Sequence, residues 1–86
     1  MKNILITGGT GYIGSHFVLE CLEAGYNPII IDNLSNSSKD VINKLETEKK
    51  RKLQFFNIDI LDKSKLADVF KRIDINYVMH FAGLKS

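Results

Sequence analysis

Four short apolar runs, rich in β-branched side chains, recur along the sequence and are separated by amphipathic segments. They occupy residues 4–6, 28–31, 53–56 and 77–81. Their near-continuous hydrophobicity is typical of strands that are covered on both faces, as in parallel sheets. A chain of 86 residues has room for one small domain. The pattern therefore predicts an α/β fold in which strands and helices alternate.

The segments between the runs predict three helices, over residues 12–24, 38–50 and 64–73. Gly25 follows the first helix, where a C′ glycine commonly ends the element. Apolar residues recur at helical spacing and are expected to face inward; in the first and third helices they are Ile13, Gly14, Phe17, Val18, Cys21, Leu22, Leu66, Val69, Phe70 and Ile73. Either Asp62 or Ser64 is the predicted N-cap of the third helix.

The predicted order is β-α-β-α-β-α-β. Right-handed crossovers then give a Rossmann-like, doubly wound parallel sheet with strand order 3-2-1-4. In that order the chain reverses direction beside the first strand, where a crevice opens at the carboxyl end of the sheet. Ligands of such folds bind in this crevice.

The stretch TGGTGYIGSH, residues 7–16, holds four of the six glycines: Gly8, Gly9, Gly11 and Gly14. It fits G-x-G-x-x-G, and it follows a predicted strand and opens a predicted helix, as this motif requires. The early glycines allow a tight turn, Gly11 lets a pyrophosphate approach the backbone, and Gly14 lets the helix pack closely. Backbone N–H groups and the helix dipole then favour a phosphate at this point. The alternative interpretation is a flexible loop without a ligand.

Asp32 ends the second apolar run, 18 residues after Gly14. A carboxylate at this position of a dinucleotide site holds the adenosine ribose hydroxyls, and it repels a 2′-phosphate. No arginine follows Asp32 directly, so the sequence favours NAD over NADP as the cofactor. The alternative is that Asp32 is an ordinary loop acid.

Three motifs together, TGGTGYIGSH, DNLSNS at residues 32–37 and HFAGLKS at residues 80–86, give the chain a family resemblance. It resembles the UDP-glucose 4-epimerases, a branch of the extended short-chain dehydrogenase/reductases, over its whole length. The resemblance implies that residues 1–86 are the N-terminal part of an NAD-binding Rossmann domain. It also implies an isomerase of nucleotide-sugar and galactose metabolism, which inverts C4 of a UDP-hexose through a transient 4-keto sugar.

The resemblance implies cofactor contacts along the whole chain. Gly8, Gly11 and Gly14 with the backbone of Tyr12 and Ile13 correspond to the pyrophosphate contacts. Asp32, Asn33, Asn36 and Ser37 correspond to the ribose and adenine-side loop, and Asp59 and Ile60 to the adenine pocket. Phe81, Ala82, Gly83 and Lys85 correspond to the wall beside the inner ribose and phosphates.

The family's catalytic base, a tyrosine in Y-x-x-x-K, has no counterpart, since Tyr12, Tyr26 and Tyr77 are each followed four residues on by something other than lysine. The residues of a substrate domain and of the family's homodimer contact are absent as well. We therefore expect no catalytic residue in this chain, which reads as the first quarter or so of an epimerase. Two alternatives are a fragment of a sugar-nucleotide 4,6-dehydratase and a stand-alone, non-catalytic nucleotide-binding module.

Composition argues against several other classes. A net charge of +2 and a single basic run at residues 48–52 without interleaved aromatics make nucleic-acid binding a weak prediction. No apolar run is long enough to cross a membrane, and His16 and His80 have no neighbours at metal-ligand spacing. His80 is instead expected to be a packed, hydrogen-bonded residue. The lone Cys21 suits a reducing cytoplasm.

An end shortly after the fourth strand has consequences for stability. That strand would be an exposed edge carrying Val78 and Phe81, which favours aggregation. One face of the sheet would keep only the third helix, so its apolar strand side chains would be wet. The sequence therefore predicts marginal stability and weak NAD affinity for the isolated chain.

Overall fold

The computed structural model describes residues 1–34 and 39–81. The elements, in chain order, are β1 (Asn3–Thr7), α1 (Tyr12–Glu23), β2 (Asn27–Ile31), α2 (Asp40–Lys49), β3 (Gln54–Phe56), α3 (Lys63–Arg72) and β4 (Tyr77–His80). The predicted alternation is confirmed, and the predicted boundaries differ from the observed ones by one or two residues. Within the described residues no helix is long and apolar enough to cross a membrane.

The strands form one sheet in the order β3-β2-β1-β4, and every neighbouring pair is parallel. This is the predicted Rossmann-like arrangement. Leu5 of β1 lies level with Ile29 of β2 on one side and with Val78 of β4 on the other. Because all strands run the same way, their carboxyl ends lie together at one edge of the sheet. The glycine-rich segment begins at that edge, directly after Thr7.

The first face of the sheet packs against α1 and α2. Its buried cluster comprises Ile4, Ile6, Val18, Cys21, Ile30, Ile42, Leu45 and Leu53. Alternate residues of β1 and β2 point to this face, which is why their paired isoleucines meet the apolar sides of the helices. Ile13, predicted to face inward, is instead 53% exposed. It lies in the first turn of α1, beyond the edge of the sheet.

The second face is covered by α3 and the segment before it. Leu5, Ile29 and Ile31 are at most 1% exposed there, and Ile58 and Val69 complete their cluster. The expectation that strand side chains on this face would be exposed to solvent was therefore wrong for β1 and β2. Val69 of α3 and Ile58 of the segment before it pack in one cluster with the side chains of both strands. Phe70, predicted to face inward, is 44% exposed.

The helix ends follow the predicted chemistry. Gly25 has φ +87°, its N–H donates to Leu22 O at 3.2 Å, and the N–H of Tyr26 donates to Cys21 O at 2.9 Å. These two bonds form a Schellman motif, which satisfies carbonyls at the end of α1. Asp62 is the N-cap of α3, since its carboxylate accepts from the Lys65 N–H at 3.2 Å.

The β4 strand is the exposed edge that the sequence predicts. Tyr77 and Val78 are 50% and 51% exposed, and Met79 is 39% exposed. Phe81 differs from the expectation, because its ring packs on Phe17 of α1 with 5.4 Å between ring centroids. The contact with the first-face cluster partly buries Phe81.

Candidate functional site

The chain leaves β1 through a tight turn at Gly8. Gly8 has φ +76°, a backbone conformation that residues with a side chain rarely adopt. Its N–H donates to Ile31 O of β2 at 2.8 Å. The Gly8 carbonyl accepts from the Gly11 N–H at 3.2 Å. The turn is thereby fixed to the sheet, and α1 begins directly above it.

Three further glycines differ in what surrounds them. A Cβ on Gly14 would overlap the carbonyl oxygen of Gly8, and one on Gly9 would lie 2.5 Å from Ile30 Cγ2. Both positions are glycine because the turn packs tightly on α1 and β2. Gly11 is different, since its Cβ would meet nothing closer than 3.5 Å and its φ is −73°. The protein's own packing therefore gives no reason for glycine at position 11.

The first turn of α1 points its backbone N–H groups into the space in front of Gly11. The N-cap is Gly11, which has no side chain to cap the helix, and the first turn carries no acidic residue. In the part of the chain that the structure describes, the N–H groups of Tyr12, Ile13 and Gly14 find no acceptor. The Tyr12 and Ile13 side chains are exposed. An external anion would satisfy these donors and the helix dipole.

Asp32 lies just past the end of β2, next to the glycine turn. Its Oδ2 accepts from the Thr10 hydroxyl at 2.5 Å and from the Thr10 N–H at 3.2 Å. Its Oδ1 accepts from the Leu34 N–H at 2.8 Å. Leu34 has φ +63°, a left-handed backbone conformation that a leucine seldom adopts. The carboxylate is thus fixed by hydrogen bonds at the crevice.

A small cleft at this edge joins three parts of the sequence. Its walls are formed by Gly8, Ile31, Asp32, Asn33, Ile58, Asp59 and Ile60. The Asp59 side chain accepts from the Leu61 N–H at 2.9 Å, and its carbonyl accepts from the Asp62 N–H at 2.8 Å. The structure therefore brings together five of the predicted site residues: Gly8, Asp32, Asn33, Asp59 and Ile60.

The other side of the glycine turn is bounded by the end of β4. The Phe81 N–H donates to Thr7 O at 2.8 Å, and the Thr7 hydroxyl lies 2.5 Å from His80 Nδ1. His80 is hydrogen-bonded, as predicted, but it is exposed rather than packed. Phe81 faces Phe17 of α1 and lies outside the cleft around Asp32.

Five of the predicted site residues lie outside the described residues. They are Asn36 and Ser37, which follow Leu34 in the sequence, and Ala82, Gly83 and Lys85, which follow Phe81. Their roles stay predictions from the resemblance. Among residues 1–34 and 39–81, no three histidine, cysteine or acidic side chains are grouped so as to hold a metal ion.

Sequence reasoning overlooked Thr10. Its side chain is 2% exposed and makes the shortest hydrogen bond to Asp32 in the described site. In G-x-G-x-x-G this residue is one of the variable positions, so the motif gives it no role. A hydroxyl between the glycines, with a carboxylate expected at the neighbouring strand end, was the available signal.

Comparison with known proteins decides the family. The family profile described as GDP-mannose 4,6 dehydratase matches residues 5–86. The chain belongs to this family. Its match begins in β1 and includes the glycine turn, Asp32 and the cleft, so the membership rests on the whole described fold.

Within the GDP-mannose 4,6 dehydratase family, curated relatives carry the name of the epimerases. The UDP-glucose 4-epimerase of Dictyostelium discoideum is 48% identical over 83 residues, and that of Bacillus subtilis (strain 168) is 46% identical over 83 residues. Each alignment covers 96% of this chain and 24% of the relative. The chain thus spans about a quarter of their length and matches their N-terminal part. The resemblance to the UDP-glucose 4-epimerases is confirmed.

Solved structures agree with the sequence relatives. The UDP-glucose 4-epimerase of Stenotrophomonas maltophila, with bound NAD and formylated UDP-arabinopyranose, superimposes with a TM-score of 0.93 at 37% identity. It is matched over 100% of this chain and 26% of its own. The enzyme of Bifidobacterium longum, in complex with NAD⁺ and UDP, has a TM-score of 0.93 at 35% identity, over 99% of this chain and 25% of its own.

Proposed function

We propose that this chain binds NAD at the carboxyl edge of its sheet, as the cofactor-binding N-terminal part of a UDP-glucose 4-epimerase. One observation carries the proposal. The glycine turn, the fixed carboxylate of Asp32 and the walls around Asp59 meet in one cleft beside the uncapped start of α1. Relatives with this fold were crystallised with NAD bound.

The shape of the site suits a dinucleotide diphosphate. Gly11 leaves open backbone where a Cβ would otherwise project, and the first-turn N–H groups of α1 supply donors for phosphate oxygens. In this proposal the Asp32 carboxylate accepts from a ribose hydroxyl; Asp32, Asn33 and Ile60 all line the cleft. Two carboxylates at this cleft, Asp32 and Asp59, disfavour a 2′-phosphate and so support NAD over NADP.

We propose that the reaction itself needs the full length of the relatives, of which this chain spans about a quarter. NAD, when bound, would supply reversible hydride transfer at C4 of a UDP-hexose, while the family's tyrosine base would take the proton of the C4 hydroxyl and return it. The part of the site present here would hold the adenosine half and the diphosphate in place. The tyrosine base of the family and the sugar-binding residues have no counterpart in this sequence, so this chain alone is proposed to bind the cofactor without turning over substrate.

The family profile keeps a second candidate open. Its description, GDP-mannose 4,6 dehydratase, fits a sugar-nucleotide dehydratase whose cofactor portion would be built alike. The curated relatives named UDP-glucose 4-epimerase, at 45–50% identity, favour the epimerase. An Asp-Glu pair beside the active-site serine or threonine, in sequence encoded downstream, would instead indicate a dehydratase.

The binding proposal is tested by titrating the ¹⁵N-labelled chain with NAD⁺ and following amide chemical shifts. We expect perturbations at Gly11, Tyr12 and Ile13, with an affinity that weakens about tenfold or more in Asp32→Asn. Asp68→Asn, on the exposed side of α3, is the matched control and should bind like the wild type. Equal binding by the wild type and Asp32→Asn would refute the ribose contact, and no binding at millimolar NAD⁺ would refute the cofactor site.

A further inference from the structure

Thr10 makes two hydrogen bonds to one oxygen of Asp32. Its hydroxyl lies 2.5 Å and its backbone nitrogen 3.2 Å from Oδ2. The side chain is 2% exposed, so water competes little for this hydroxyl. A buried donor facing a carboxylate forms a charge-assisted bond, which is stronger than a neutral one.

The second oxygen of Asp32 is held from the other side, since Oδ1 accepts from the Leu34 N–H at 2.8 Å. A carboxylate has about four acceptor positions. Thr10 and Leu34 occupy most of these positions, so the acceptor position of Asp32 that remains has a fixed direction. The cleft that Asp32 lines lies beside it, together with Gly8 and Asn33.

We propose that Thr10 is a positioning residue, which orients the Asp32 carboxylate towards the adenosine ribose of NAD. The proposal rests on the proposed NAD site and adds to it a residue at a variable position of the glycine motif. The hydroxyl fixes the carboxylate before the ligand arrives, so that less conformational freedom is lost on binding. It also fixes the acid close to the place where a 2′-phosphate would lie.

The test is a double-mutant cycle on the full chain, with NAD⁺ affinity measured by NMR titration and stability by urea unfolding. Thr10→Val keeps the shape of the side chain and the hydrogen bond of the backbone N–H but removes the hydroxyl. Thr10→Ser keeps the hydroxyl. We expect Thr10→Val to weaken NAD⁺ binding by about fivefold to tenfold. Thr10→Ser should bind within about twofold of the wild type, since it keeps the donor. In the Asp32→Asn background, Thr10→Val should have little further effect.

A purely structural role predicts a different pattern. Thr10→Val would then weaken NAD⁺ binding equally in the wild-type and Asp32→Asn backgrounds, and this result would overturn the positioning role. NAD⁺ binding by Thr10→Ser as weak as that of Thr10→Val would overturn it too. A second probe, NAD⁺ lacking the adenosine ribose hydroxyls, should bind wild type and Thr10→Val alike. Failure of the wild-type chain to bind NAD⁺ would overturn the NAD site and, with it, this role of Thr10.

Discussion

Glycine is required for different physical reasons along one short turn. Gly14 and Gly9 are small because backbone and side-chain atoms of the protein occupy the space where a Cβ would lie. Gly8 has a positive φ, and Gly11 meets neither condition. The motif lists these glycines alike, and only their surroundings separate a packing requirement from a ligand requirement.

Replacing Gly14 or Gly11 with alanine should therefore separate folding from binding. Gly14→Ala places a methyl against the Gly8 carbonyl, so we expect a loss of about 3 kcal/mol or more in unfolding free energy. Gly11→Ala should cost under about 1 kcal/mol and weaken NAD⁺ binding about tenfold or more, because the methyl obstructs the phosphate. Urea unfolding and NMR titration check the pair. Equal destabilisation of both variants would contradict this division.

The C-cap of α2 offers a stabilising substitution. Lys50 has φ +53°, a left-handed conformation that glycine adopts without strain, and its side chain is exposed. Lys50→Gly should raise the unfolding free energy by about 0.5–1 kcal/mol. Lys50→Ala is the control, since it removes the charge but keeps the Cβ, and it should give no gain. Chemical unfolding of the three chains measures both effects, and a gain in the alanine variant would point to charge instead.

At the level of elements, the helices differ in how their ends are satisfied. The start of α1 is left to backbone donors alone, whereas α3 begins with the carboxylate of Asp62 accepting from the Lys65 N–H. The same chemical problem, unpaired N–H groups in a first turn, is solved internally in α3. The start of α2 also lacks a side-chain cap, at Lys39, so what distinguishes the start of α1 is its place directly after the glycine turn, at the carboxyl edge of the sheet.

Removing the cap of α3 should have a measurable cost. Asp62→Ala leaves first-turn N–H groups of α3 to water, so we expect a loss of about 1 kcal/mol in unfolding free energy. Asp68→Ala is the matched control on the same helix, because its ion pair with Arg72 is exposed and of little energetic value. Thermal unfolding should then show a lower Tm for Asp62→Ala only. Equal Tm values would show that Asp62 does not act as a cap.

The molecule as a whole buries two apolar layers but leaves β4 open. Tyr77 and Met79 line an apolar groove with Ile4, Phe17 and Tyr26, and the outer edge of β4 pairs with no other described strand. In contrast to this exposed groove, the cluster on the first face of the sheet is buried, and it includes the thiol of Cys21. These two regions govern how the isolated chain behaves in solution.

We expect copies of the chain to self-associate through the exposed edge of β4. Val78 is 51% exposed on β4, next to unpaired backbone groups. Val78→Lys should reduce association at high protein concentration without loss of fold, because a charge on an edge strand opposes pairing. Ser64→Lys adds the same charge at an exposed site on α3 and serves as the control. Sedimentation velocity measures the outcome; an equal reduction in both variants would assign the effect to net charge.

Because the thiol of Cys21 is buried, we expect the free energy of unfolding to depend on pH. Burial raises the pKa of Cys21 above its usual value of 9.0, and the nearby Glu20 carboxylate adds to the rise. The folded state therefore holds the thiol proton more tightly than the unfolded state does. This contribution to stability is complete below the pKa of the unfolded thiol and is lost as pH rises through the folded value.

Unfolding in urea at pH 7 and pH 10 tests this sign. Cys21→Ala lacks the titrating group, so wild type should lose more stability than the variant over that interval. The thiol should also react slowly with alkylating reagents in the native state and quickly in urea, since the thiolate is the reactive form. Rapid alkylation of the native chain would contradict its place in the core.

The local features of the fold could be predicted from residues close together in the chain. Near-continuous apolar runs predicted the four strands, and apolar residues at helical spacing predicted the three helices. Gly25 predicted the end of the first helix, and the choice of Asp62 or Ser64 predicted the start of the third. Crossover handedness then predicted the strand order. The predicted cofactor loop came from the same local signals, because a glycine turn between a strand and a helix is encoded by consecutive residues.

Contacts between distant residues were decided by the tertiary structure alone. Three contacts each join segments far apart in sequence: the bond of Thr10 to Asp32, the burial of the second sheet face by α3 and the segment before it, and the packing of Phe81 on Phe17. Periodicity reports which side of an element is apolar, but not how much of it a neighbour covers. Sequence thus determined the order of elements and the motif, while packing determined which side chains are fixed, buried or left open.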